Sequence, residues 1–283
     1  MKQITDKSIS LLCWGYNEEE NILNFLEKST ELLEKIVREK IMDDYEIIFV
    51  DDGSTDKTLE IAKKFKNEKN NKLIILINTK NMNVAYSFKR ALNAATKKYI
   101  FWQTIDWSYD ISNLPEYLKY LKDYDVIQGI RRKPVNIKIK FLKPFALLLK
   151  LFGIKHLTKR SDTIPKAFVS IINYLLIRLL FRVPVSDFQN VSIYPTNWIK
   201  KQKLEANSSF ANPELIIKAY WSGLKIKEVP INFIPRQLGK AKGTKLKSIM
   251  KSIRDIFKYW FKWIILNDFQ NKKKGIIDRS FND

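Results

Sequence analysis

The feature that most constrains the fold is an alternation, over residues 9–130, of short β-rich runs with longer stretches of helical periodicity. The β-rich runs lie at 9–14, 45–50, 73–77, 99–103 and 126–130, and are dense in Ile, Val, Phe, Tyr and Trp. Between the first two, Ile22, Leu23, Leu26, Leu33, Ile36 and Val37 recur at three- and four-residue steps, the spacing of a helix with one apolar face. Two shorter helices are expected near 58–65 and 85–95. Parallel strands need a crossover, and the usual crossover is a helix, so this alternation specifies an α/β fold with a doubly wound, mostly parallel sheet.

A chain of 283 residues that is 45% hydrophobic buries a substantial core, and the length suits one large α/β domain with an appended region. Lysine and arginine outnumber the acids 51 to 30, giving a net charge of +21. Such an excess points to a polyanionic partner: nucleic acid, anionic lipid or a sugar-nucleotide phosphate. The single cysteine, Cys13, excludes an internal disulfide and suits a reducing compartment. The single histidine, His156, removes most zinc and Ser-His-Asp chemistry. Residues 1–8 do not read as a signal peptide, and the apolar stretches 167–177 and 263–266 are interrupted by Lys166, Arg178 and Lys262. A protein that does not cross a bilayer is therefore expected, cytoplasmic and peripheral to the membrane.

Beyond Arg132, prolines at 134, 144 and 165 break up apolar, lysine-dotted sequence as far as Phe181. One helix there carries Lys166, Ser170, Asn173 and Arg178 on one stripe, against Phe168, Ile171, Ile172, Leu175, Leu176 and Leu179. Near the C-terminus, Leu246, Ile249, Met250, Ile253, Phe257, Trp260, Phe261 and Ile264 share a face opposite Lys247, Lys251, Arg254, Lys258 and Lys262. An apolar aromatic face with a basic one suits a helix lying in a membrane interface, and an ordinary core helix is the competing reading. The charged tail 271–283 is expected to fray.

Two strand–helix junctions carry the chemistry. The run Phe49-Val50 ends in Asp51-Asp52-Gly53-Ser54-Thr55-Asp56, and the run 9–14 is followed by Tyr16-Asn17-Glu18-Glu19-Glu20. Ligands of open α/β sheets bind beyond the carboxyl ends of strands, where both acid groups fall. A turn with an N-cap and a helix-dipole preference for acids account for much of each segment as well.

In this order and spacing the two segments resemble glycosyltransferase family 2, most closely its dolichol-phosphate mannose synthase and bacterial polyprenyl-phosphate branch. The likeness continues through Lys80-Asn81-Met82-Asn83, Gln128-Gly129-Ile130-Arg131-Arg132, Val185-Ser186-Asp187 with Gln189, Pro213-Glu214, Glu228-Val229-Pro230-Ile231, and Arg236 with Gly239, Lys240 and Lys242. It implies a GT-A (Rossmann-like) sheet flanked by helices, with amphipathic interface helices. Residues 1–132 and 183–245 would be the nucleotide-sugar and the acceptor/diphosphate parts, 133–182 the interface helices and 246–283 a C-terminal amphipathic helix and tail.

The resemblance implies nucleotide-sugar contacts from Tyr16, Glu18, Asp51, Asp52, Asn83 and Asp106, with Asn83 at a positive-φ position where the family usually has glycine. Arg131, Arg132, Arg160, Arg236, Lys240 and Lys242 would meet diphosphate or acceptor phosphate. The metal-binding Asp-x-Asp falls on Thr104-Ile105-Asp106, so Mg2+ or Mn2+ is expected on Asp106, with Thr104 and Ser108 nearby, and held more weakly than by two acids. Asp106, Asp187 and Arg236 are the catalytic candidates. The implied reaction is inverting transfer of a sugar from a UDP- or GDP-sugar to a polyprenyl phosphate at an anionic membrane surface. Transfer to a saccharide hydroxyl, with Asp187 as base, and a catalytically weak polyanion-binding relative are the alternatives. No nucleic-acid partner is expected, because the basic residues do not form a compact patch interleaved with aromatics.

Overall fold

The computed structural model describes residues 7–131, 164–188, 191–234, 246–269 and 272–280. Strands β1 (Ser8–Gly15), β2 (Asp44–Asp51), β3 (Leu73–Ile77), β4 (Tyr99–Trp102) and β6 (Val126–Arg131) fall on the five expected runs. Helices α1 (Ile22–Arg38), α2 (Thr58–Glu68) and α3 (Val84–Ala94) are the crossovers between them. Two-residue β5 (Tyr109–Asp110) and short α4 (Leu114–Lys119) link β4 to β6. Then follow α5 (Ile164–Phe181), β7 (Ser192–Pro195), α6 (Thr196–Lys200), α7 (Ala211–Trp221), β8 (Lys225–Phe233), α8 (Leu246–Trp260), which continues as a wider turn over Phe261–Ile265, and β9 (Ile276–Asp278).

Among the described residues these strands form one nine-stranded sheet in the order β3-β2-β1-β4-β7-β6-β8-β5, with β9 also on β8. The pairs β1–β2, β1–β4, β2–β3, β6–β8 and β8–β9 are parallel. Only β7 and β5 run against the rest. Strand alternation sends Leu11, Cys13, Ile47 and Phe49 to one face, against Phe25, Leu26 and Leu33 of α1 and Phe65 of α2. Leu12, Ile48 and Val50 face the other way, onto Phe88 of α3 and the layer that holds α5, α7 and α8. Burial pushes the Cys13 thiol up, so it stays a small inert hydrophobe.

The strands after β6 were not foreseen. In β8 the sequence Lys225-Ile226-Lys227-Glu228-Val229-Pro230 lacks the look of an inner strand, yet Lys227 and Glu228 are buried by ion pairing. Lys227 Nζ lies 2.8 Å from Asp278, and Glu228 lies 3.1 Å from Arg279 Nε. The expectation that the tail frays is corrected by the same pairs over the described residues 272–280. Lys227 and Asp278 face each other in register, so a one-residue slip would set like charges side by side. The Lys227 ammonium holds the Asp278 carboxyl well below the usual carboxylate range. Asp278 in turn accepts from the Tyr124 hydroxyl and pushes that phenol up to about 12.

The C-terminal helix combines both readings of its sequence. Ile256, Tyr259 and Trp263 are buried, with Tyr259 and Trp263 rings 5.0 Å apart and Phe210 stacked on Tyr259 at 5.8 Å. Glu205 ties this side down, accepting from Trp263 Nε1 at 3.0 Å and pairing with Lys262. Lys262, expected on the solvated basic face, is thus drawn inward. The apolar row expected to be one face is split: Met250, Phe257 and Phe261 are 58%, 45% and 50% exposed, while Trp260 and Ile264 pack against the core. On α5, likewise, Tyr174, Ile177 and Phe181 are buried while Leu179 is 68% exposed.

Candidate active site

The strands of common direction end at one edge of the sheet, so Gly15, Asp51, Trp102, Arg131 and Phe233 lie along that edge. In the centre, β1 lies between β2 and β4, which puts Tyr16 and Glu18 between the two acids after β2 and the Asp106 segment after β4. The packing here is tight: a Cβ on Gly15 would come 2.6 Å from Ile105 Cδ1 and 3.3 Å from Glu18 Cγ. The β1 and β2 junctions are laced together. Asn17 Oδ1 accepts from Thr55 N at 2.9 Å, Glu18 N donates to Thr58 Oγ1 at 2.8 Å, and Glu19 Oε2 accepts from Lys57 N at 3.0 Å.

The adjacent carboxylates after β2 have different surroundings. Asp52 accepts from Asn78 Nδ2 at 2.6 Å, Ser87 Oγ at 3.0 Å, Met82 N at 3.0 Å and Asn83 N at 3.1 Å. Both its oxygens are therefore engaged in holding the 78–83 loop. Asp51 is 1% exposed; Oδ2 accepts only from Ser54 N at 3.2 Å, and Oδ1 is buried with no hydrogen-bond partner. A buried carboxylate oxygen without a donor is rare in a folded protein, and among the described residues Asp255 Oδ2 is another. Gly53 closes the turn at φ +76°, where a Cβ would meet the Lys80 backbone at 2.6 Å. Asn83 has φ 85°, as the sequence suggested, and its side chain caps α3 through Ala85 N and Tyr86 N at 3.1 and 3.3 Å.

After β4, Asp106 Oδ1 accepts from Ser108 Oγ at 2.6 Å, and Thr104 Oγ1 accepts from Ser108 N at 3.2 Å. Buried Gln103, which the sequence reading passed over, fixes this turn: Nε2 donates to Tyr109 O at 2.6 Å and Oε1 accepts from Thr104 N at 3.0 Å. Ile234 N donates to Ser108 O at 2.8 Å, so the end of β8 is bound to the Asp106 turn. Arg131 is the last residue of β6 at the same edge. Asp187 is buried, and its carbonyl accepts from Gln128 Nε2 at 3.1 Å. Arg132, Arg160, Arg236, Lys240 and Lys242 lie outside the described residues.

A family model described as glycosyl transferase family 2 matches residues 15–181, more than half of the chain and all of the strand ends just described except that of β8. The chain belongs to glycosyltransferase family 2. This glycosyltransferase is 30% identical over 131 residues to the undecaprenyl-phosphate 4-deoxy-4-formamido-L-arabinose transferase of Photorhabdus laumondii, covering 44% of the chain and 37% of that protein. It is 30% identical over 125 residues to the cholesterol galactosyltransferase of Borreliella burgdorferi, covering 41% and 34%. The chain thus spans well under half the length of these two relatives. An uncharacterised protein of Methanocaldococcus jannaschii is 29% identical over 153 residues, covering 52% of this chain and 62% of that one. In fold the enzyme is similar to a mannosyltransferase of Pyrobaculum calidifontis solved with GDP-Man and Mn2+ (TM-score 0.58, 12% identity, 94% of this chain, 70% of that one). It is also similar to TarS of S. aureus solved with UDP-GlcNAc (TM-score 0.53, 18% identity, 88% and 65%). The chain therefore has the GT-A architecture read from its motifs.

Among its described residues no three Asp, Glu, His or Cys side chains cluster as a metal cage. At the position expected to hold Mg2+ or Mn2+, Asp106 is the one carboxylate and Thr104 its neutral neighbour, and each accepts a hydrogen bond from Ser108.

Proposed function

We propose that the enzyme transfers a sugar from a nucleoside-diphosphate sugar, with inversion, to a polyprenyl phosphate at a membrane surface. The observation that carries the donor assignment is the unpartnered, buried Asp51 Oδ1 at the strand edge where Tyr16, Glu18 and Asp106 also emerge. A nucleobase N–H or ribose hydroxyl would satisfy it, and Tyr16, which follows the Gly15 paired with Asp51, would supply a stacking ring. Asp52 acts through the 78–83 loop that it holds. A bound divalent cation would neutralise charge on the diphosphate leaving group. Arg131, Arg132, Arg160, Arg236, Lys240 and Lys242 supply the remaining cations for diphosphate and acceptor phosphate. An ionised acceptor oxygen attacks the anomeric carbon, the bond to the nucleoside diphosphate breaks, and its electron pair leaves on the diphosphate oxygen; positioning does most of the work.

The polyprenyl-phosphate acceptor is supported by the name of the Photorhabdus relative and by the exposed apolar rows of α5 and α8 beside exposed Lys251, Arg254 and Lys258. Among the described residues no helix is long and apolar enough to cross a membrane, which suits interfacial attachment. The cholesterol galactosyltransferase relative favours a second reading, a hydroxyl acceptor. Asp187 would then take the hydroxyl proton as the new glycosidic bond forms.

The test is nucleotide release from a panel of UDP- and GDP-sugars with a short polyprenyl phosphate or a hydroxyl-bearing lipid, with Mg2+ or Mn2+ supplied. Release that requires an acceptor and is abolished in Asp106→Ala is expected. Acceptor-dependent turnover that survives in Asp106→Ala would remove the metal and catalytic assignment, and no release with any donor would remove the transferase reading.

A further inference from the structure

Four consecutive residues leading into Asp187 are each tethered by a different side chain. Pro184 O accepts from Arg279 Nη2, and Val185 O accepts from Tyr174 OH at 2.9 Å. Ser186 gives both its donors to Glu228, N to Oε1 at 2.5 Å and Oγ to Oε2 at 2.6 Å, and Asp187 O accepts from Gln128 Nε2 at 3.1 Å. Gln128 is itself fixed, its Oε1 accepting from Ser192 Oγ at 2.5 Å.

At the centre of this clamp sits Glu228, whose side chain has no solvent exposure. A buried carboxylate needs a counter-charge, and Arg279 supplies one, with Nε 3.1 Å from Oε2. The arginine comes from the tail, just past β9, and reaches this place because Asp278 beside it is locked to Lys227. Alternation along the paired strands puts Lys227–Asp278 on one face of the sheet and Glu228–Arg279 on the other.

We infer that Arg279 is a positioning residue for Asp187: through Glu228 and Pro184 it holds the 184–187 backbone, and so the carboxylate that follows, at the acceptor side of the cleft. The inference rests on the hydroxyl-acceptor reading of the transferase, in which Asp187 takes the acceptor's proton. Arg279 touches no reacting atom, so its loss acts on turnover and leaves donor binding, set by Asp51 and the β1 and β2 ends, in place.

In the full chain, Arg279→Ala should lower kcat roughly ten- to a hundredfold, the range that a displacement of about an ångström produces. Its donor Kd, by calorimetry, should stay within about twofold of wild type, since hydrogen bonding at the donor end is untouched. Added guanidinium ion should restore part of the turnover, whereas Lys274→Ala, an exposed tail lysine, should behave as wild type. Amide exchange over 185–187 should quicken in Arg279→Ala, a readout that needs no substrate. Unchanged exchange there, unchanged kcat, or donor affinity and kcat falling together would overturn the role. A wild-type protein without transfer would refute the parent reading, while active wild type with an unimpaired Arg279→Ala refutes this inference alone.

Discussion

Asp51 and Asp52 are adjacent, both buried, and opposite in what their removal should do. In Asp52→Ala four donors lose their acceptor: Asn78 Nδ2, Ser87 Oγ, Met82 N and Asn83 N. The two backbone groups lie in a loop and can turn to water, but the bonds from Asn78 and Ser87 are buried. Hydrogen bonds to a charged group contribute about 1.5–3 kcal/mol each, so those two alone give a loss of about 3–6 kcal/mol. At roughly 2–4 °C per kcal/mol for a domain of this size, Tm should fall by at least about 6 °C. Asp51→Asn removes a carboxylate with one accepted bond and one unpartnered oxygen, so stability should stay within about 1 kcal/mol of wild type. Nucleotide affinity should nonetheless fall at least about tenfold, one lost hydrogen bond to a charged acceptor being sufficient. Circular-dichroism melting and calorimetric titration with UDP and GDP read the two effects separately. An Asp52→Ala protein that melts with wild type, or an Asp51→Asn protein that loses several degrees while binding nucleotide normally, would refute the division of labour.

Gly53→Ala forces a side chain into φ +76° against the Lys80 backbone, and should destabilise by about 1–3 kcal/mol and weaken nucleotide binding, measured by the same melt and titration. Phe257→Ser with Phe261→Ser should abolish co-flotation with anionic liposomes, which in wild type should weaken as salt rises, and should lower Tm only in part, because each ring is about half exposed. The Asp278 carboxyl, depressed by Lys227 and by the Tyr124 hydroxyl, stabilises the tail at pH values above the ordinary carboxylate pKa of about 4. That contribution is lost as pH falls through the depressed value, so protection factors of the 276–278 amides should hold at pH 5 and decline below about pH 4. In Lys227→Met the acid-side decline should be smaller, because the carboxyl is then less depressed.

The first half of the molecule could be read directly because its strands, all inner except β3 at the sheet edge, run parallel, and local burial dictates local composition there. The five apolar runs, the apolar face of α1 and the positive φ of Asn83 all belong to this class. The acid-bearing segments could be placed together for the same reason, since strands that share a direction end at one edge whatever their order. The second half yielded less. In β8 two buried charges, Lys227 and Glu228, look like surface residues until their partners arrive from a tail some fifty positions later, and only pairing in space brings the partners into view. On α8 an amphipathic pattern was evident, but which side meets the core depended on Glu205, Phe210 and Trp221 from other segments. Chemically alike neighbours were separated by tertiary structure alone: Asp51 and Asp52 are the same residue type on the same strand end, and the 78–83 loop reaches one and leaves an oxygen of the other without a donor. Periodicity records whether a position is buried; the identity of what lies against it is set by contacts between distant parts of the chain.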